Sequence, residues 1–306
     1  MIVLLTGATG FIGSALASRL AADGHSLRAL TRNRNPQATL SRLPAGCEAF
    51  TWPEGGPVPA AALDGVEAVV YLAGENIGKW PWTSARKNRA FASRVNGTRA
   101  LVDAMGGMAR KPRVFAAASA MGYYGDGGDR MLEESAPAAH DFLAETCRAW
   151  EAETFKAEGI GIRTVAVRMG LVLGKGGALA KLAPAFRLGG GVVMGSGRQW
   201  WSWIHVADAA GIFAHALGAG DLRGPVNGTA PAPVPQRDFA RALARAVHRP
   251  LLWRAPAFAL RLGLGEMAGT LLEGQRAAAG KLAASGYRFR YPDLDGALRA
   301  ALAGET

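Results

Sequence analysis

Three glycines, Gly7, Gly10 and Gly13, stand three residues apart near the start of the chain. Glycine lets a phosphate approach the backbone closely, and the amides that open a helix donate to its oxygens. A second group could hold another phosphate. The run Leu30-Thr31-Arg32-Asn33-Arg34 carries two guanidinium forks and no acid, and arginine suits a phosphate dianion through charge-assisted paired bonds. A third group could move protons: Ser119, Tyr123 and Tyr124 in one short stretch, with Glu75, Glu145 and Cys147 as further titratable side chains.

The elements around these residues place them together. Residues 2–5 form an apolar run that reads as a buried strand, and Ile12, Leu16 and Leu20 then share one helical face. Strand, glycine turn and helix cradle a dinucleotide pyrophosphate. Further strands are expected over 26–30, 66–72, 114–119 and 162–167, with a helix over 95–105. Such alternation predicts an α/β fold with a doubly wound parallel sheet, whose ligands sit beyond the carboxyl ends of the strands. An acid at the end of the second strand would hold the 2′-hydroxyl of NAD. Arg32 and Arg34 stand there instead, so NADP(H) is the expected cofactor.

Past residue 174 the alternation fades. Glycines at 189–191, 195 and 197 and prolines at 231, 233 and 235 mark loops, and helices are expected near 236–248 and 256–273. We therefore expect a nucleotide-binding Rossmann domain over 1–174, with 200–226 returning to it. A smaller C-terminal cap spans 175–199 and 227–306.

A net charge of +11 raises the question of nucleic acid. The basic residues are scattered without interleaved aromatics, so no nucleic-acid partner is expected. The stripe Arg237, Arg241, Arg245 and Arg249 reads as a solvated helix face. No apolar run reaches the roughly 20 residues that span a bilayer, so no membrane partner is expected. Residues 2–5 read as a strand and not as part of a signal peptide. Cys47 and Cys147, far apart, read as free thiols in a reducing cytoplasm. The histidines 25, 140, 205, 215 and 248 show no ligand spacing, so no metal is expected.

The pattern Thr6-Gly-x-x-Gly-x-x-Gly13 resembles the extended short-chain dehydrogenase/reductase superfamily. That resemblance implies hydride chemistry on a nicotinamide. It implies cofactor contacts from Gly7, Thr9, Gly10, Phe11, Ile12, Gly13, Thr31, Arg32, Arg34, Leu72, Ala73, Gly74, Glu75, Arg94, Ser119, Arg168, Met169 and Leu171. It also implies a Tyr-x-x-x-Lys pair on the helix after Ser119, the tyrosine moving the proton and the lysine binding the nicotinamide ribose. That pair is missing. Leu143 and Cys147 occupy the two positions in one register, Cys147 and Glu151 in the other, and Arg94 stands where an active-site asparagine is usual.

Ala73-Gly74-Glu75, Trp80, Trp82, Ser93-Arg94 with Thr98, residues 142–151 and Gln199 to His205 resemble a narrower, atypical group, the "epimerase family" proteins. Their C-terminal domain of unknown function is similar to residues 227–298. The expected function is an NADP(H)-binding oxidoreductase or epimerase-like protein acting on a small molecule, with Ser119, Tyr123 and Tyr124 as its proton-handling candidates. Trp80, Trp82 and Trp200 are expected to wall the substrate. The alternative is a catalytically silent NADP(H)-dependent regulatory or binding protein linked to cell division. Assembly into a homo-oligomer is left open.

Overall fold

The computed structural model describes residues 1–53, 55–78 and 80–306. Seven strands form one parallel sheet: β1 (Ile2–Thr6), β2 (Ser26–Thr31), β3 (Glu48–Thr51), β4 (Ala68–Tyr71), β5 (Val114–Ala120), β6 (Arg163–Met169) and β7 (Gly224–Gly228). Their order is β3-β2-β1-β4-β5-β6-β7, with Leu5 beside Val70, Val70 beside Ala116 and Ala116 beside Val165. Parallel strands covered on both faces must be apolar without alternation. β1 shows this: Val3 and Leu5 enter one core and Leu4 the other.

Helices α1 (Phe11–Ala22) and α4 (Val206–Gly218) cover the first face. Leu16 and Leu20 meet Ile212 and Phe213 there. Helices α2 (Ser84–Gly106) and α3 (Phe142–Phe155) cover the second through Val95, Leu101, Met105 and Trp150. Short strand pairs build the remainder: Leu171–Leu173 with Trp203–His205, Val192–Met194 with Trp253–Ala255, and Trp200–Trp201 with Val234–Pro235. These lie around a core that includes Trp203, Phe239 and Leu298. Arg276–Ala277 pairs with Met131–Leu132 and ties the C-terminal stretch back to the loop after β5.

Several elements differ from the sequence reading. β7 was not expected as a strand, because Gly224-Pro-Val-Asn-Gly228 carries two glycines and a proline. β3 was not expected, because Glu48-Ala-Phe-Thr51 is too short and mixed to carry a period. α2 begins at Ser84, well before residue 95, because Thr83 caps it by accepting the Arg86 amide. The single helix expected over 256–273 is instead Ala257–Leu264, a 3-10 turn Gly265–Ala268 and Gly269–Leu272. Gly265 has φ +58, which an α-helix cannot accommodate.

Candidate functional site

The crevice lies at the carboxyl ends of β1, β4, β5 and β6. Gly7 has φ +69, and a Cβ there would lie 2.9 Å from the Leu72 carbonyl. A Cβ on Gly13 would lie 2.0 Å from the Gly7 carbonyl oxygen. The turn thus closes on backbone from both sides. Gly10 caps α1 with no side-chain hydrogen bond, so the first amides of the helix face outward without intrahelical partners. Thr6 is buried, and its Oγ1 accepts from the amides of Leu72 and Ala73 at 3.1 Å, fastening the end of β4 to β1. Phe11 is roofed by Gly174, Gly176 and Gly177, which have no side chain to hold it off.

At the end of β2 the backbone is held open by a relay of side-chain oxygens. The Asn33 amide donates to Thr31 Oγ1, the Asn35 amide to Asn33 Oδ1 and the Gln37 amide to Asn35 Oδ1. Arg32 and Arg34 are exposed there, and neither forms a salt bridge among the described residues. Arg42, which no motif marks, joins this edge, donating to the Thr9 carbonyl across the glycine turn at 3.1 Å.

Beneath the other half of the crevice runs a buried network. Ser119 donates to Glu151 Oε1 at 2.6 Å, and Arg168 donates to both Glu151 oxygens at 2.8 Å. Arg168 also reaches the Tyr124 hydroxyl at 2.8 Å, and Tyr124 in turn donates to Asn227 Oδ1 at 2.7 Å. The Arg168 guanidinium lies 3.5 Å from the centre of the Tyr123 ring. Burial pushes the Tyr124 phenol up to about 12 against the opposing pull of Arg168. Burial, with Glu151 nearby, pushes the Cys147 thiol up to about 12. Ser119 and Tyr124 are therefore committed to holding Glu151, Arg168 and Asn227. Asn227, on β7, and Glu134, which accepts its amide, gave no signal in the sequence because only the fold brings them here.

The remaining candidates separate. The Glu75 amide donates to Ser93 Oγ at 3.0 Å, and the Arg94 guanidinium lies against Gly74. Met169 is buried beneath Gly228, and Leu171 is half-buried in the pair with Trp203. Trp82 donates to the Ile77 carbonyl and packs edge-on against Phe142 at 5.8 Å. Trp80 is 58% exposed. Trp200 sits under Arg276 and donates to Asp129. Among the described residues no ring contact joins Trp80, Trp82 and Trp200. No group of three His, Cys, Asp or Glu among the described residues could hold a metal. No described helix is long and apolar enough to cross a membrane.

Residues 3–227, which contain the glycine turn and all of the sheet but its terminal residues Ile2 and Gly228, match the NAD dependent epimerase/dehydratase family. The chain belongs to that family. Residues 255–301 match a domain of unknown function, DUF1731, a shorter stretch than the 227–298 read from the sequence. The Epimerase family protein YfhF of Bacillus subtilis is 37% identical, over 97% of both chains. The chloroplastic Epimerase family protein SDR39U1 homolog of Arabidopsis thaliana is 38% identical over 98% of this chain and 86% of its own. The crystal structure of human SDR39U1 (isoform 2) with NADPH superposes with a TM-score of 0.88 at 33% identity. That match covers 98% of this chain and 99% of the human one.

Proposed function

We propose that this epimerase-family protein binds NADP(H) in the crevice and acts as an oxidoreductase or epimerase-like protein on a small molecule. The observation that carries the reading is the glycine turn closing on its own backbone, with Arg32 and Arg34 where an acid would select NAD. The human relative solved with NADPH supports it. The residues fit the group: side chains at Gly7 or Gly13 would fill the cradle, and the α1 amides await an anion.

When bound, NADP(H) supplies or accepts a hydride. The protein's own part is positioning. The α1 amides and the turn hold the pyrophosphate, Arg32, Arg34 and Arg42 face the adenosine side, and Glu151 with Arg168 keeps the floor rigid. No tyrosine–lysine pair is present to move a proton, so the donor is nonstandard or comes with the substrate. The locked state of Ser119 and Tyr124 favours a second reading, a catalytically silent NADP(H)-dependent binding or regulatory protein. We place the protein in the cytoplasm, where its two unpaired cysteines stay reduced.

Calorimetric titration with NADPH and NADH tests the binding. NADPH should bind at least about tenfold tighter, a preference that Arg32→Gln with Arg34→Gln removes. Equal or tighter NADH binding by the wild type overturns the assignment. Mixing NADPH-loaded protein with aldehydes, ketones, quinones and sugar nucleotides separates the two functions. Cofactor oxidation with any of them supports the enzyme, and bound cofactor with no oxidation supports the silent protein.

A further inference from the structure

We infer that Arg94 supplies the positive charge of the nicotinamide half of the crevice, from α2 rather than α3, and grips a pair of oxygens on bound ligand. The inference rests on the cofactor reading above. Its guanidinium reaches the end of β4, where a Cβ on Gly74 would lie 3.1 to 3.4 Å from Cζ, Nη2 and Nη1. A side chain there would press the guanidinium aside by a few tenths of an ångström. The Trp150 ring of α3 lies 5.4 Å away on another side, and Nη1 donates to the Ala90 carbonyl at 2.9 Å. The charge is thus fixed in place by the protein.

It has no counter-ion among the described residues. No carboxylate lies within salt-bridge distance of Arg94 among the described residues, and Glu151 is occupied by Arg168. Burial disfavours the charged form, and Cys147, Tyr71 and Glu75 oppose this in part. A largely desolvated cation without an opposite charge beside it is costly. A ligand that brings oxygens removes that cost. The donors can be reached: the fully buried, unpartnered side-chain nitrogens among the described residues belong to Arg86, His205 and Arg276, and none to Arg94.

The position gives the charge its meaning. In the first of the two registers Cys147 stands on α3 where the resemblance implies a lysine, and the Arg94 charge acts on that same thiol. In that register the cation is carried by α2, which packs against α3, and not by α3 itself. Arginine differs from lysine in its planar fork, which matches two neighbouring oxygens. Those oxygens are the diol of the nicotinamide ribose or a carboxylate of the substrate.

The test titrates wild type, Arg94→Met and Arg94→Lys with NADPH and with adenosine 2′,5′-bisphosphate, which lacks the nicotinamide half. Arg94→Met should weaken NADPH by about tenfold or more, Arg94→Lys by less, and neither should change the bisphosphate. That unchanged value also shows that the variants are folded. If NADPH is unaffected but Arg94→Met abolishes benzoate binding to the NADP+-loaded protein, the oxygens gripped are the substrate's. If neither ligand responds, Arg94 is structural and the inference is overturned. Failure of the wild type to bind NADPH at all would instead sink the cofactor reading on which it rests.

Discussion

Arg168 and Glu151 form an ion pair in the interior, with side chains 2% and 6% exposed. Burying such a pair is tolerable because both carboxylate oxygens accept from the guanidinium, and Ser119 and Tyr124 take up further bonds. Removing one partner leaves the other buried without its counterpart. Glu151→Gln should therefore destabilise by about 3–5 kcal/mol. In the double variant Glu151→Leu with Arg168→Met the loss should be smaller than the sum of the two single losses. Urea unfolding monitored by circular dichroism checks both. The sequence marked Ser119, Tyr124 and Arg168 as residues of interest from their place after strands. It could not show that they bond to one another, because that depends on how β5, β6 and α3 are stacked.

At the scale of the element, the β1 turn is the most legible feature of the chain, because its geometry is local. Three glycines within one strand–turn–helix unit meet each other and Leu72, and nothing distant is needed to predict the turn. Gly13→Ala places a methyl 2.0 Å from the Gly7 carbonyl oxygen, and backbone there cannot yield without moving the α1 amides. This substitution should weaken NADPH by at least about tenfold, read by the same calorimetric titration. The strand β3 and the break at Gly265 were less legible. A four-residue strand has no period to detect, and a single glycine is compatible with both a helix interior and its end.

At the scale of the molecule, the C-terminal stretch is fastened to α4. Asp208 accepts from the Tyr287 hydroxyl and from the amides of Arg290 and Tyr291. Beside it His205 is fully buried. Its Nδ1 accepts the Ala207 amide and its ring lies 4.1 Å from that of Tyr291, while Nε2 has no partner among the described residues. Burial holds the His205 pKa below the usual 6.5, Arg290 adding to this and Asp208 and Glu305 opposing it. The folded state therefore favours the neutral ring. The unfolded chain takes up the proton first, so His205's contribution is complete above pH 6.5 and is lost as pH falls through the lower folded value. Thermal midpoints measured from about pH 8 to about pH 5 should fall on the acid side. His205→Asn, which keeps a capping oxygen, should flatten that fall.

Composition, the glycine turn and the order of apolar runs were enough to determine a parallel doubly wound sheet with its crevice over β1. Each depends on contacts between near neighbours or on a period written along the chain. The partnership of Ser119 with Glu151, of Tyr124 with Asn227 and of Arg94 with the Cys147 site belongs to tertiary structure alone. Those pairs are far apart in sequence, and only the packing of α2 and α3 on the sheet brings them within bonding or field distance. The missing lysine illustrates the difference: it is an absence along α3 in the sequence, and in space a charge on α2 stands beside it.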